Sequence, residues 1–274
     1  MPPRSPTVAF LGATGGCTST ALALSLQAGR DCTALVRTPS KLLALLRATH
    51  AVPQSVLDAR LTVVQGDARD AQAVARALAA AGRVADVVVS GVGGAPRMQA
   101  SAWAPLTLDD PKVCGDGMIA LLGALRALGA GTAAPGPRRE GERRRPVVVA
   151  ISTTGLAARR DVPWLLVPLY HWLLAVPHRD KKRMEELLVE GSRGADPVCD
   201  FVVVRPTLLV DGAARGREQV RVGWERASGA TAGEEGPGPA VGYTVSRADV
   251  GRWVFEEVVK GGRTWVGRCV TLTY

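Results

Sequence analysis

The amino-acid sequence predicts an α/β protein with a doubly wound, mostly parallel sheet and a small C-terminal part. Two observations lead to this fold class. Short apolar segments typical of strands alternate with segments of helical periodicity, which is the pattern of a parallel sheet with helices on both faces. The first strand also runs directly into a glycine-rich turn, residues 12–18, that opens a helix. The chain has 274 residues, of which 47% are hydrophobic. This is enough for one large core, and we expect a single domain over residues 1–274.

The predicted strands are short and apolar, and helices or loops separate them. Six strands form the expected parallel sheet: Val8–Leu11, Cys32–Val36, Leu61–Gln65, Asp86–Ser90, Val147–Ile151 and Phe201–Val204. Helices are expected near residues 17–28, 42–47, 70–81, 111–128 and 179–190. A capping box at Ser246 and Asp249 begins a further helix to about Lys260, and a last strand is expected over Thr264–Thr273. Residues 50–60 are ambiguous. Residues 95–110 and 211–240 are interpreted as loops, with a weak strand pattern at Gln219–Val222.

The glycine-rich turn has the composition of a phosphate-binding loop. Glycine lets the backbone approach an anion closely and adopt turns that a Cβ would forbid. The start of the following helix offers unpaired N–H groups and the positive end of the helix dipole. Thr18 stands where the usual spacing has a third glycine. The candidate binding residues of this turn are Gly12, Thr14, Gly15, Gly16, Cys17 and Thr18.

Glycines or small hydroxyl side chains follow nearly every predicted strand. In a doubly wound sheet, ligands bind beyond the carboxyl ends of the strands. The recurrence therefore predicts a nucleotide that lies across these ends. Beyond the glycine-rich turn, the candidates are Asp67, Ser90, Gly91, Val92, Gly93, Ser152, Pro206 and Thr207.

The residue after the second strand distinguishes the two nicotinamide dinucleotides. An acidic side chain there accepts a hydrogen bond from the ribose 2′-hydroxyl, whereas an arginine pairs with a 2′-phosphate. Here this residue is Arg37, and Ser40 and Lys41 follow closely. The pattern favours NADP (NADPH) over NAD as cofactor. The alternative is that Arg37 and Lys41 are ordinary surface charges.

Composition narrows the class of partner. The formal net charge is +9, and part of the excess lies in the arginine-rich segment 138–145, which we interpret as a solvated loop because it lacks a nucleic-acid-reading motif. The five cysteines show no metal-ligand spacing, which predicts reduced thiols and no metal site. No run of 18 apolar residues suggests a membrane span, and the N-terminus lacks an apolar signal-peptide core. We expect a cytoplasmic monomer or homodimer that binds a small molecule and no nucleic acid.

Four motifs together resemble the atypical short-chain dehydrogenase/reductases. They are Leu11–Gly16, Leu35–Leu42, Gln65–Ala68 and Val203–Thr207. More narrowly, they resemble NmrA-like and flavin/biliverdin-reductase-like NAD(P)-binding proteins with a Rossmann fold. The resemblance implies that the glycine-rich turn holds the pyrophosphate and that Arg37 and Lys41 take the 2′-phosphate. It also implies that Asp67 and Ala68 meet the adenine, that Gly91 passes the ribose, and that Ser152 or Thr153, and Thr207, lie near the nicotinamide.

The catalytic group stays open at this point. Classical members of the superfamily use a tyrosine four residues before a lysine as proton donor. The candidate helix lacks this tyrosine. The residue four positions before Lys181 is Pro177, and the residue four positions before Lys182 is His178. Three alternatives remain. His178 acts as the acid with Lys182 on the ribose, Tyr170 reaches in from the preceding segment, or water supplies the proton. Ser152 and Thr153 are candidates for binding a substrate carbonyl.

Tryptophans in connecting segments suggest a hydrophobic substrate. Trp103, Trp164, Trp172 and Trp224, with Leu165, Leu166 and Leu169, are interpreted as lining an apolar pocket. We expect the segments 91–110, 155–180 and 211–242 to build it.

Three functions remain as hypotheses. The first is an NADPH-dependent reductase of a hydrophobic carbonyl, imine or enone, with a role in biosynthesis. The second is a non-catalytic, NmrA-like redox sensor. The third is an enzyme of the same fold that catalyses a non-redox cyclisation or rearrangement.

Overall fold

The computed structural model describes residues 6–98, 106–130, 145–193, 196–227 and 236–274. Eight strands of this part of the chain form one sheet in the order β3-β2-β1-β4-β7-β8-β12-β10. All neighbouring pairs are parallel except β10 with β12, which is antiparallel. The predicted doubly wound, mostly parallel Rossmann sheet is confirmed.

The bounds of the elements follow the chain. The strands of the described residues are β1 (Val8–Leu11), β2 (Cys32–Val36), β3 (Leu61–Gln65), β4 (Val87–Ser90), β5 (Pro96–Met98), β6 (Leu106–Leu108), β7 (Val147–Ile151), β8 (Asp200–Pro206), β9 (Leu208–Val210), β10 (Arg221–Arg226), β11 (Thr244–Ser246) and β12 (Arg268–Thr273). The helices are α1 (Gly16–Gln27), α2 (Pro39–Ala48), α3 (Gln54–Arg60), α4 (Ala71–Leu78), α5 (Val113–Ala127), α6 (Val167–Leu173), α7 (Ala175–Arg193) and α8 (Arg247–Trp253). A π-helical turn, Val254–Lys260, continues α8.

The side chains of the central strands supply both faces of the core. In β1, Val8 and Phe10 pack on one face with α1, α2, α3 and α8, whereas Ala9 and Leu11 pack on the other with α4, α5 and α7. This alternation follows from the two-residue period of a strand. Because both faces are covered, the strands are continuously apolar, which made them easy to predict.

Four segments differ from the sequence-based prediction. The ambiguous residues 50–60 contain α3. Part of the predicted loop 95–110 forms the antiparallel pair β5 and β6, while residues 99–105 lie outside the described part. The weak strand at Gln219–Val222 is displaced to β10, after a 3₁₀ turn at Arg217–Gln219. The last strand starts at Arg268, because Gly267, with φ +80°, turns the chain and donates its N–H to the carbonyl of Phe201.

The chain order places a topological switch point between β1 and β4. The chain moves outward from β1 to β2 and β3, and then returns to the opposite side of β1 as β4. A crevice opens at such a point because the two loops leave the sheet in opposite directions. Across the described residues, no helix is long and apolar enough to cross a membrane.

Candidate functional site

A cavity of about 280 Å³ lies at the carboxyl ends of β1, β2, β3 and β4. It is therefore at the topological switch point. Nine of the predicted binding residues line it: Gly12, Thr14, Gly15, Arg37, Asp67, Ala68, Gly91, Val92 and Gly93. The remaining lining residues are Leu35, Val36, Gly66, Arg69, Gly94, Asp109, Asp110 and Val113. Six of the seventeen lining residues are glycines, which lets the backbone approach an anion closely.

The glycines of the turn are required by close backbone contacts. Gly12 has φ +71°, and a Cβ there would lie 2.7 Å from the carbonyl oxygen of Gly91. Gly15 caps α1 and donates its N–H to the carbonyl of Gly12 over 3.0 Å. The loops after β1 and β4 therefore meet at van der Waals distance, and any side chain at Gly12 would push them apart.

Thr18 supports the turn from inside the protein. It is only 1% exposed, and its hydroxyl donates to the carbonyl oxygens of Gly12 (2.6 Å) and Gly15 (3.0 Å). The threonine in place of a third glycine thus locks the turn. The Thr18 hydroxyl is thus engaged by the turn itself, and Thr18 does not line the cavity. Cys17 is also buried, and burial raises the pKa of its thiol to about 12. The thiol therefore stays protonated, and only the backbone N–H of Cys17 is suited to an anion.

The end of β2 brings a cation to the cavity. Arg37 is exposed and lines the cavity, as predicted for the group that selects the dinucleotide. Ser40 and Lys41 are exposed in the first turn of α2 and do not line the cavity.

Asp67 lies across the cavity from the glycine-rich turn in a network that the sequence did not predict. Arg69 donates to both carboxylate oxygens of Asp67, over 3.0 and 2.9 Å, and to Asp110 over 2.5 Å. The hydrogen bond from Arg69 lowers the pKa of Asp67 to about 2. Asp67 is thus anionic at any physiological pH. The local sequence contains this signal only as an arginine two residues after Asp67, which is common in loops.

The end of β4 forms another wall of the cavity, next to the glycine-rich turn. A Cβ at Gly91 would lie 2.5 Å from Cγ2 of Thr18, so glycine is required there as well. Gly93 lines the same wall but has open space around it. Ser90 is buried at the strand end and does not line the cavity.

Two hydroxyls beyond β7 are buried without a hydrogen-bond partner among the described residues. They are Ser152 Oγ and Thr154 Oγ1. The backbone N–H groups of the same residues bond to Val204 and Pro206 of β8, which fixes the segment. Burying an unpaired hydroxyl costs free energy, and such groups mark a place where a ligand or water is bound. Thr153, between them, is half-buried.

α7 presents Lys181, and not Lys182, to the strand ends. Lys181 Nζ donates to the carbonyl oxygens of Val92 (3.0 Å) and Ile151 (2.8 Å) and so bridges the ends of β4 and β7. Lys182 is exposed. The expectation that Lys182 lies on the ribose is therefore corrected to Lys181, the lysine whose ammonium reaches the strand ends.

The ring of His178 is buried against Gly155. A Cβ at Gly155 would lie 2.7 Å from Cε1 of His178. Gly155 has φ +89° and donates its N–H to both carboxylate oxygens of Asp161, over 3.0 and 2.9 Å. Burial raises the pKa of Asp161. This arrangement holds the imidazole next to the segment 152–155. The third candidate, Tyr170, has a side chain outside the described part.

Thr207 has a structural environment. It is buried, and its hydroxyl donates to the carbonyl of Leu272 (3.4 Å) and lies 3.1 Å from Oγ1 of Thr273. Pro206 is buried in β8 beside Leu272. Neither residue lines the cavity. The Thr207 hydroxyl is engaged within the fold, and its position near the nicotinamide stays a prediction.

The tryptophans do not form one group. Trp164 is 74% exposed, and Leu165 and Trp172 are also exposed, all within segment 155–180. Trp224 instead lies on β10, where the guanidinium of Arg268 stacks 4.0 Å from its ring centroid, so it is corrected to a core and edge residue. Trp103, residues 138–144 and the side chains of Leu166 and Leu169 lie outside the described part.

Comparison with known proteins agrees with this geometry. Residues 12–260 match the model of a protein family described as NAD(P)H-binding. The chain is 42% identical to "Reductase pytE" of Aspergillus terreus over 287 aligned positions, which cover 100% of both chains. It is 40% identical to "Oxidase pynE" of Aspergillus niger over 292 positions, which cover 98% of both.

Solved structures agree on the fold. ChuY of Escherichia coli O157:H7, described as an anaerobillin reductase, superposes with a TM-score of 0.61 at 19% identity and covers 97% of this chain and 96% of its own. The oxidoreductase ylbE of Lactococcus lactis has a TM-score of 0.57 at 13% identity, with 97% and 90% covered.

Proposed function

We propose that this chain, which belongs to the NAD(P)H-binding family, is an NADPH-dependent reductase of a hydrophobic carbonyl, imine or enone. The family is a group of atypical short-chain dehydrogenase/reductases with a nicotinamide dinucleotide as cofactor. The family and the names of the relatives, one a reductase and one an oxidase, support an NAD(P)-dependent oxidoreductase.

The observation that favours NADPH over NADH as cofactor is the position of Arg37. It lines the cavity at the end of β2, where the adenosine ribose of a dinucleotide lies in this fold. Arg37 brings a guanidinium where an NAD-specific site has a carboxylate. A guanidinium pairs with a phosphate through two parallel hydrogen bonds, which a ribose hydroxyl cannot match.

The fit of the dinucleotide rests on the glycine-rich turn and the loop after β4. A Cβ at Gly12 would clash with the carbonyl of Gly91, and a Cβ at Gly91 would clash with the side chain of Thr18. Glycine at both positions keeps the backbone N–H groups of the α1 start accessible to a pyrophosphate. When bound, the dinucleotide supplies a hydride.

For the reaction itself, we propose that Lys181, Ser152 and His178 act together. An ammonium has three N–H donors, and the carbonyls of Val92 and Ile151 engage two of them. The third suits a ribose hydroxyl of the cofactor. The buried Ser152 hydroxyl would donate to the substrate carbonyl. Histidine exchanges protons near neutral pH, and His178 would donate a proton to the oxygen that becomes negative when the hydride reaches the carbonyl carbon.

The substrate is proposed to be hydrophobic because segment 155–180 presents exposed apolar side chains, among them Trp164 and Leu165. With segments 91–110 and 211–242, it would build the pocket within a single domain. Cytoplasmic location, and a monomer or homodimer, stay predictions.

The test is a titration of the purified protein with NADPH and with NADH, followed by cofactor fluorescence. We expect Arg37→Ala to raise the Kd for NADPH by about 10- to 100-fold, since bonds to charged groups contribute roughly 1.5–3 kcal/mol. The Kd for NADH should change little. Arg47→Ala removes an exposed charge at the other end of α2 and serves as the control.

Equal wild-type affinity for both dinucleotides would contradict the NADPH assignment. Turnover is tested with a panel of quinones, enones and imines. Binding of NADPH without oxidation by any of them, together with a co-purifying protein, would favour the redox-sensor hypothesis. Product formation without cofactor would favour the non-redox enzyme.

A further inference from the structure

Arg247, the first residue of α8, lies against the glycine-rich turn. A Cβ placed on Gly16 would meet Cδ of Arg247 at 2.6 Å and its Cβ at 3.2 Å. The aliphatic stem of Arg247 therefore covers Gly16 at the start of α1. This contact explains why the turn has two consecutive glycines.

The position of Arg247 is fixed by the packing of α8 on α1. The Cα of Gly251 faces the carbonyl oxygen of Cys17 and the side chain of Thr20 so closely that no Cβ fits there. At the N-terminus of α8, Ser246 accepts the N–H of Asp249 over 2.9 Å. The close contact at Gly251 fixes α8 against α1, and the Ser246 cap orders the first turn of α8, to which Arg247 belongs.

The charge of Arg247 acts at the start of α1. Burial raises the pKa of Cys17, and the positive charge of Arg247 opposes this effect more strongly than that of Lys181 does. Two positive features thus coincide at Gly16 and Cys17: a guanidinium and the positive end of a 12-residue helix. An anion bound there would interact with both.

The present partner of Arg247 is weak. Its NH1 donates to Oδ1 of Asp211 over 2.8 Å, but the Asp211 side chain is 90% exposed. Exposed ion pairs contribute little to stability, because water screens them and ordering the side chains costs entropy. A phosphate at the helix start could therefore replace Asp211 at small cost.

We propose that Arg247 binds the pyrophosphate of the dinucleotide, exchanging the carboxylate of Asp211 for a phosphate. This inference rests on the proposed function but concerns a different part of the cofactor. Arg37 would discriminate NADP from NAD, whereas Arg247 would bind the group that both share.

The experiment separates these two contributions with fragments of the cofactor. ADP-ribose carries the pyrophosphate and lacks the 2′-phosphate, and adenosine 2′-monophosphate has the reverse. We expect Arg247→Ala to raise the Kd for ADP-ribose, NADH and NADPH by about tenfold or more. The Kd for adenosine 2′-monophosphate should stay within about twofold of the wild-type value, because loss of the contact to the pyrophosphate leaves the binding site of the adenine end unchanged. Arg37→Ala should show the opposite pattern.

Arg252→Ala is the matched control. It removes an exposed arginine from the same helix and changes the net charge equally. Asp211→Asn releases Arg247 and should leave ADP-ribose affinity unchanged or increase it.

Three results would overturn the proposal. If wild-type protein binds ADP-ribose but Arg247→Ala matches Arg252→Ala, Arg247 has no part in binding and only this inference fails. If Arg247→Ala weakens adenosine 2′-monophosphate as much as ADP-ribose, the residue is structural. If the wild type binds neither dinucleotide, the proposed function fails together with it.

Discussion

Replacement of Glu185 by alanine should destabilise the protein strongly, because it removes the carboxylate that pairs with a buried arginine. Arg205 on β8 is 7% exposed. Its guanidinium donates from Nε and NH2 to the carboxylate oxygens of Glu185, over 3.1 and 2.6 Å, and from NH1 to Glu225 over 2.6 Å. Burial by itself lowers the pKa of Arg205, but the hydrogen bonds and charge of Glu185 outweigh it and raise the pKa. The guanidinium therefore stays charged in the folded protein.

The magnitude follows from what the alanine leaves behind. Removing Glu185 takes away two of the three hydrogen bonds of a desolvated cation, and the carboxylate of Glu225 can replace only part of this loss. Breaking a buried ion pair by deleting one partner costs about 3–5 kcal/mol of unfolding free energy. For a protein of this size, this corresponds to a fall in Tm of roughly 6 to 20 °C. Glu185→Gln keeps the volume and one acceptor and should lose less.

The assay is urea unfolding followed by circular dichroism, with calorimetry for Tm. Glu186→Ala is the control, since Glu186 is the next residue on α7 and is exposed. It should change the unfolding free energy by no more than about 0.5 kcal/mol. If Glu185→Ala fell within 1 kcal/mol of Glu186→Ala, the buried network would not be a major source of stability. The position matters for function, because Ser152 and Thr154 are hydrogen-bonded to the end of the same strand.

Two further predictions concern the site directly. Gly91→Ala should lower the unfolding free energy by about 1–3 kcal/mol and weaken binding of both dinucleotides, because its Cβ would displace Thr18 from the turn. Gly93→Ala is the control, since Gly93 has open space around it. Equal unfolding curves for the two variants would contradict the packing argument. Lys181→Met should raise the Kd for NADPH and lower kcat/KM by about tenfold or more, since it removes charge-assisted bonds at the ends of β4 and β7. Lys182→Met changes an exposed lysine and should match the wild type. Equal loss in both variants would refute the placement of Lys181.

Much of the fold could be predicted because its signals are local. β1, β2, β3 and β7 have the predicted bounds. β1, β2 and β7 are buried on both faces and are therefore continuous apolar segments. The strand–turn–helix at residues 8–27 is predicted from the glycine-rich turn together with the apolar strand before it and the helical segment after it. The capping box at Ser246 and Asp249 was also predicted, and it does begin a helix.

The residues that were missed depend on contacts between distant parts of the chain. Arg69 lines the cavity because it reaches Asp110, which is 41 residues away. The sequence shows a hydroxyl at Thr18 but not its partner. Whether that hydroxyl bonds to a ligand or to its own turn depends on how the loop after β4 packs over it. The roles of Lys181 and Lys182 could not be separated, because adjacent residues on a helix point about 100° apart and only packing selects the face.

The sequence by itself determined the order of strands and helices, the glycine-rich turn and the cation after the second strand. These follow from propensity, periodicity and backbone freedom, which act over a few neighbouring residues. The tertiary structure decided which lysine reaches the strand ends, that the Thr207 hydroxyl is engaged within the fold, and that Arg247 covers Gly16 from a helix more than 200 residues along the chain. Such contacts arise only when separate elements pack on one sheet, since burial and charge then couple residues that have no local pattern in common.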